Sequence, residues 1–402
     1  MKPVLPGTDG HRARLPRAVW ILGFVSLLMD VSSELIHSLL PVFLVAGLGS
    51  TTLVVGLIEG AGAATAMIAK VFSGVLSDYW QRRKPLAVAG YALSAASKIL
   101  FALASSAGMV LAARLIDRTG KGIRGAPRDS LLADIAPPER RGAAFGLRQA
   151  LDTVGAFVGP LLAIGLMLLF VDDFRAVFRL AVVPGLLAVA LLWIGVQEPV
   201  HTQPAPARNR LTRAQLQLLG LGRAYWWVVF LATAVNLARF SEAFLVLRAQ
   251  RAGLALAYVP LVLVGMNAVY ALAAYPIGKL SDRMSPLRLL ATALVVLIAA
   301  DLALARSEQW AWLGTGIALW GLHLGISEGL LARMVADAAP ARLRGTAFGV
   351  FNLVCGVALL AASALAGLLW DHFGAQQTFV AGAALGTLAL FAVAARAGAR
   401  AR

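Results

Sequence analysis

Arg141-Gly-Ala-Ala-Phe-Gly146 returns as Arg344-Gly-Thr-Ala-Phe-Gly349, a shift of 203 residues. Upstream, Ala133-Asp134 returns as Ala336-Asp337 at the same shift, and Gly74-Val-Leu-Ser-Asp78 returns as Gly278-Lys-Leu-Ser-Asp282 at 204. Three matches in one register mark an internal duplication better than any single motif does. Each lies where a long apolar run gives way to polar chain, so the repeated unit is a set of such runs.

Outward from these matches the runs number twelve: residues 18–46, 53–76, 85–104, 109–133, 142–170 and 176–196, then 225–247, 255–280, 286–305, 310–336, 345–369 and 375–395. A spanning helix needs roughly 20 apolar residues to cross about 30 Å of hydrocarbon, and these runs have that length. Lipid offers no partners to backbone amides, and the runs are too long for barrel strands, so helices are the reading. Composition agrees: 59% of the 402 residues are hydrophobic, 14% are charged, and mean hydropathy is +0.78. The expected fold is an all-α membrane protein of twelve transmembrane helices in two six-helix pseudo-repeats. The expected division is a first bundle over 1–196, a polar linker over 197–222 with Pro199, Pro204 and Pro206, and a second bundle over 223–402.

The net charge of +16 could suggest a nucleic-acid partner, but the placement of the basic residues argues otherwise. Lys2, Arg12, Arg14 and Arg17 precede the first run, Arg82, Arg83 and Lys84 follow the second, and Arg396, Arg400 and Arg402 follow the last. Arg175, Arg248, Arg251 and Arg306 are the main exceptions on the other side. By the positive-inside rule both termini are expected in the cytoplasm, in a multi-pass membrane protein. The first run is far longer than the h-region of a signal peptide and contains Asp30 and Glu34, so it is read as a helix. Cys355 is the one cysteine and falls within the eleventh run, which leaves no disulfide framework and no thiol-rich metal site.

Ionisable residues inside a spanning helix are costly and need a partner or a wet cavity. Asp30, Glu34 and His37 are spaced i, i+4 and i+7, on one face of the first helix. Glu59 enters from the second helix, and Arg114, Asp117 and Arg118 from the fourth. The expectation is that Asp30 and Glu34 face Arg114 or Arg118 across a cavity, with a carboxylate exchanging its proton for solute. The alternative is a static ion pair that fixes packing. Arg148 and Asp152 read as a local i, i+4 pair. In the second half Asn236, Arg239, Glu242, Asn267, His323 and Glu328 are the counterparts, with the seventh helix as a cavity wall. Lys70, Lys98 and Asp301 could instead reach a helix end and snorkel.

Gly74-x-Leu-Ser-Asp78 followed by Arg82, Arg83 and Lys84 resembles the GxLaDrxGRK signature of the major facilitator superfamily, with Gln81 and Tyr79 departing from it. Arg118-Thr-Gly-Lys-Gly122 with Ala126 resembles the family pattern RxxxGxGxA, although Arg124 occupies the second glycine position. Gly146, Gly155, Gly159 and Pro160 resemble its antiporter motif, with Ala163 and Ile164 in place of the last two glycines. Asp30-Val-Ser-Ser-Glu-Leu-Ile-His37, Gly120-Lys-Gly-Ile-Arg124 and Ser327-Glu-Gly-Leu-Leu331 are similar to a bacterial branch of the superfamily, from which no substrate follows.

The resemblance implies a carrier, not an enzyme, with the solute site near mid-membrane between the halves. It implies a cytoplasmic gate at Gly74, Asp78, Arg82, Arg83 and Asp282, in which Asp78 pairs with basic side chains and a helix terminus; the plainer reading of Arg82 to Lys84 is a topology marker. It implies a role in proton transfer for Arg118. The antiporter motif favours efflux over import, while Gly155, Gly159 and Pro160, like Gly56, Gly60, Gly321, Gly325 and Gly329, also suit close helix packing. No cofactor is expected beyond a proton as coupling ion. The expected partners are a small solute and the bilayer, with the chain acting as a monomer. A divalent-metal carrier using His37, Glu34, Glu59 and His323 is an alternative, as is a non-transporting sensor or scaffold.

Overall fold

A computed structural model describes residues 15–80, 82–137, 140–198, 221–281, 284–306, 309–340 and 343–401. These form twelve helical units and, among the described residues, no strand. In the first six-helix set they are α1 (Arg17–Gly47), α2 (Thr52–Trp80), α3 (Arg83–Leu103), α4 (Ala107–Ile135), α5 (Arg141–Leu169) and α6 (Phe174–Gly195). In the second they are α7 (Arg223–Arg251), α8 (Leu261–Ser281), α9 (Pro286–Ala305), α10 (Trp310–Ala338), α11 (Arg344–Phe373) and α12 (Ala375–Ala401). Ten have a described stretch long and apolar enough to cross a membrane. The other two, α4 and α10, are as long, and α4 is the more polar; each lies against two neighbours, α4 on α2 and α3, α10 on α8 and α9.

The duplication read from sequence reappears in the packing. Within the first six helices the main pairs are α1 with α5 and α6, α2 with α4, and α3 with α4 and α6. Adding six to each number gives pairs that also occur: α7 with α11 and α12, α8 with α10, and α9 with α10 and α12. Between the sets, α2 packs on α11 and α5 on α8, which the same exchange turns into one another.

These two contacts differ in closeness for a local reason. A Cβ on Gly56 would lie 2.1 Å from the Ser363 carbonyl oxygen, and one on Gly60 would lie 2.8 Å from Leu360 Cα. Glycine therefore lets α2 and α11 meet backbone to backbone. Gln149, Phe157, Asn267 and Tyr270 stand between α5 and α8 instead and border an open space.

Two helices are interrupted. In α1 regular structure stops after His37 and resumes at Leu40–Val42, followed by one wide π turn at Phe43–Gly47. Pro41 explains this, since it has no N–H to give and its ring crowds the carbonyl four residues back. In α7 the helix stops at Ala238 and restarts at Ala243. That corrects the expected unbroken helix over 225–247. The break contains neither glycine nor proline; the Ser241 amide instead donates to Ser363 Oγ on α11 at 3.2 Å.

The buried apolar residues form one cluster through both six-helix sets at the end away from the chain termini, from Leu39, Leu40 and Phe43 to Phe240, Phe244, Trp370 and Phe379. At the terminal end there are two clusters, one around Tyr91 and Leu131 and another around Tyr225 and Leu294. The described core therefore joins the halves broadly at one end only.

Candidate functional site

The charged residues of α1, α2 and α4 assemble into a chain of contacts. His37 Nδ1 lies 3.5 Å from a Glu34 carboxylate oxygen, and His37 Nε2 lies 3.4 Å from Glu59 Oε2. The same Glu59 oxygen accepts from the Arg114 guanidinium. Glu59 and Arg114 are both buried. The sequence of partners is thus Glu34, His37, Glu59, Arg114, running from α1 through α2 to α4. Glu59, not Glu34 or Asp30, is the carboxylate that meets Arg114. Arg118, one turn further along α4, lies against Gly62 of α2, and its Nε has no hydrogen-bond partner among the described residues.

Asp30 is placed elsewhere. It lines a cavity of about 120 Å³ with Gln149, Asp152, Thr153, Ala156 and Phe157 of α5 and Asn267 and Tyr270 of α8. This cavity lies between the two six-helix sets, near the middle of α1. The expected Arg148 and Asp152 pair is present at 3.7 Å, and its carboxylate also borders the cavity. The glycines of the antiporter-like motif hold this wall together. A Cβ on Gly155 would lie 2.6 Å from the Leu27 carbonyl oxygen, and one on Gly159 would lie 2.6 Å from Glu34 Cβ. Together with Pro160, buried on the same helix, they seat α5 on the stretch of α1 that carries Asp30 and Glu34.

A second ion pair lies behind the first. Lys98 of α3 is 1% exposed and does not snorkel; its Nζ donates to Asp117 Oδ1 at 2.8 Å and to Ser33 Oγ of α1 at 3.2 Å. Its partner on α1 is a serine, which sequence alone gave no reason to single out. Arg124 is buried against the Tyr91 ring, 4.8 Å from its centre, and donates to Ser94 Oγ at 2.5 Å. The position where the family pattern has glycine is therefore filled by a cation with its own stacking partner.

In the second set the described contacts of Asn236 and His323 are local ones. Asn236 donates to the Ala232 carbonyl of its own helix at 2.8 Å. Arg239 and Glu242 flank the break in α7. His323 is wholly buried, its Nδ1 2.8 Å from the Ala293 carbonyl oxygen, which fixes that nitrogen as the donor. Its distance in sequence from His37 is matched in space, since it contacts α9 and not the α1 chain. Of the four residues considered for a metal, His323 lies apart from Glu34, His37 and Glu59, and among the described residues no group of three or more His, Cys, Asp or Glu is arranged to hold an ion. The side chain of Glu328 lies outside the described residues.

At the terminal end Arg83 forms an ion pair with Asp134 and donates to the Ser130 carbonyl at 2.9 Å. The Glu198 carboxylate accepts from the amides of Arg83 and Lys84 and caps α3. Among the described residues these partners belong to the same six helices, and through them Arg83 ties α3 to α4. Arg82 is exposed. The surroundings of Gly74 and the side chain of Asp78 lie outside the described residues, as does Asp282 altogether.

Two pseudo-symmetric six-helix sets, a cavity between them and a buried charged chain beside it define a polytopic membrane carrier. The sequence pattern of the Major Facilitator Superfamily matches residues 22–363 and 244–400, and the chain belongs to that family. It is a transporter and not an enzyme. It is 32% identical to an uncharacterized MFS-type transporter of Methanocaldococcus jannaschii, over 94% of this chain and 95% of that protein. Among solved structures it is similar to a mutant of the nucleoside transporter NupG (TM-score 0.79, 12% identity, 94% of this chain and 99% of that one). It is also similar to a D-xylose-proton symporter (TM-score 0.70, 17% identity, 93% and 96%). At these identities the structures share the fold.

Proposed function

We propose that this chain is a proton-coupled secondary carrier that works by alternating access and exports a small organic solute, bound as a monomer in a bacterial inner membrane. The observation that carries the reading is the chain Glu34, His37, Glu59 and Arg114 beside the cavity lined by Asp30. A carboxylate and an imidazole in contact can pass a proton, and an arginine at the far end supplies a fixed charge that registers its arrival. Asp30, Asp152, Asn267 and Tyr270 offer carboxylate, amide and phenol groups to a polar solute, within contact of both halves.

Export is favoured by the Gly155, Gly159 and Pro160 motif. The basic residues at the terminal end support a cytoplasmic position for both termini, and on that orientation the continuous apolar cluster closes the outer face. Import of the solute is the second reading.

A thermal-shift screen of metabolites, drugs and divalent metals on the purified protein is expected to return organic compounds. Stabilisation by a metal ion alone would favour a metal carrier instead. With a ligand in hand, Glu34→Gln in proteoliposomes is expected to abolish movement driven by a pH gradient while the protein stays folded. Proton coupling unchanged in that variant would sink the assignment.

A further inference from the structure

We propose that Asp301, in the middle of the second six-helix set, is a proton-binding site that empties when the outer end of the carrier opens. The proposal rests on the proton-coupled reading above but uses a different residue, far from Glu34 in sequence and on another helix.

Asp301 lies on α9 and is 0% exposed. Neither carboxylate oxygen has a hydrogen-bond partner among the described residues, nor does Asp301 form an ion pair there. Its Oδ2 sits in a notch of α12 made by Gly382, 2.7 Å from where a Cβ of that residue would stand, with Phe240 Cε1 3.0 Å from the same point. Phe240 in turn packs its ring on Phe244, Trp320 and Phe379, with centroids 5.4 Å away in each case. All three belong with Trp370 to the apolar cluster that joins the halves.

An anion with no donor inside an aromatic packet is among the costliest groups to bury, and the neutral acid is the form this packing accommodates. The charged groups around it do not alter that. On α9 itself Arg306 is exposed at the helix end. On α10, His323 is bonded to the Ala293 carbonyl, two turns away. On α7, Arg248 Nε donates to the Leu304 carbonyl at 3.0 Å, while Arg239 and Glu242 flank Phe240 and have interactions of their own. Residues 375–395 of α12 contain no titratable side chain.

Phe240 is also one of the four residues of the break in α7, between Ala238 and Ala243. A segment without helical hydrogen bonds can move more cheaply than a helix, and its movement would draw Phe240 off the notch. Water would then reach Asp301, and the carboxylic O–H bond would break with its proton leaving to that water. Closure and proton occupancy are thereby linked: the packed outer end favours the acid, and the opened one the anion.

The test uses the full chain in lipid nanodiscs, with Cys355→Ser and a reporter at Leu40→Cys, a buried position on the α1 segment that packs on α7. Labelling by a membrane-impermeant maleimide reads outer-end opening, and infrared spectroscopy reads the C=O stretch of a buried protonated carboxyl, both between about pH 5 and 9. The expected result is labelling that rises with pH as the band falls, with a common midpoint. Asp301→Asn should remove the band and flatten the labelling. Phe240→Ala, which admits water to an intact Asp301, should move the midpoint to lower pH, and it keeps the test open if Asp301→Asn fails to fold. A band that persists across the range with unchanged labelling in Asp301→Asn or Phe240→Ala would overturn the proposal, leaving a neutral acid that only packs. Glu34→Gln run alongside separates the two readings: if it alone flattens the labelling, Asp301 fails while the Glu34 chain stands.

Discussion

Asp371 of α11 caps the first turn of α2, accepting from the Thr52 amide at 2.9 Å, the Thr52 hydroxyl at 2.5 Å and the Leu53 amide at 2.9 Å. A helix N-terminus leaves backbone donors unsatisfied and carries partial positive charge, so a carboxylate from the other six-helix set is a fitting lid for it. The contact lies at the end where the apolar cluster is continuous. Asp371→Asn keeps the shape and removes the charge, and Asp371→Ala removes the cap. Since loss of an N-cap costs about 0.5 to 2 kcal/mol and each 1.4 kcal/mol is tenfold in an equilibrium, Asp371→Ala should raise the outer-open population roughly several-fold. Spin-label distances between the ends of α1 and α7 check this. Distances unchanged in both variants would mean that the cap only tidies the end of α2.

Gly56 gives a sharper expectation, because the neighbouring atom is backbone and cannot rotate away. Val at this position would collide with the Ser363 carbonyl, which a Cβ would approach to 2.1 Å. Overpacking costs typically about 1 to 3 kcal/mol, and here the strain falls on the contact between halves and not on either set alone. Gly56→Val should therefore retain a folded, monodisperse protein in detergent, lower its melting temperature, and lose transport by failing to close α2 on α11. Gly329, which has nothing within 4 Å of a built Cβ, is the control; Ala there should be silent.

Glu59 and Arg114 test whether the buried chain is held by charge. Removing one partner of a buried pair leaves the other uncompensated, at about 3 to 5 kcal/mol, whereas removing both is far less costly. Glu59→Gln should thus lower thermal stability markedly, and Glu59→Gln with Arg114→Gln should recover much of it without recovering transport. Equal stability of the single and double variants would show that water or another group already compensates Arg114.

The legibility of this protein divides along physical lines. The break in α1 was available from Pro41, whose ring acts on its own helix. The break in α7 was not, since Arg239, Phe240, Ser241 and Glu242 are no stronger helix breakers than their neighbours, and the freed Ser241 amide is satisfied by Ser363, far along the chain. Lys98 could be read as a snorkelling residue because its stem is long; its actual partner, Asp117, is chosen by the close packing of α3 on α4 at Gly90 and Gly120. Asp301 looked like a residue near a helix end until the packing of Gly382 and Phe240 enclosed it.

What the sequence by itself determined is the number of helices, their extent to within a few residues, the duplication, and the common face of Asp30, Glu34 and His37. These follow from local constraints, since backbone in lipid must bond within its own segment and a helix repeats every 3.6 residues. Only the tertiary structure decided which charge meets which: Glu59 with Arg114, Glu34 with His37, Lys98 with Asp117, Asp30 with the cavity, and Asp301 with no partner described. Pairing across helices depends on rotation and depth of packing, which are set by where glycines let backbones approach, and no periodicity within one helix records the face its neighbour will present.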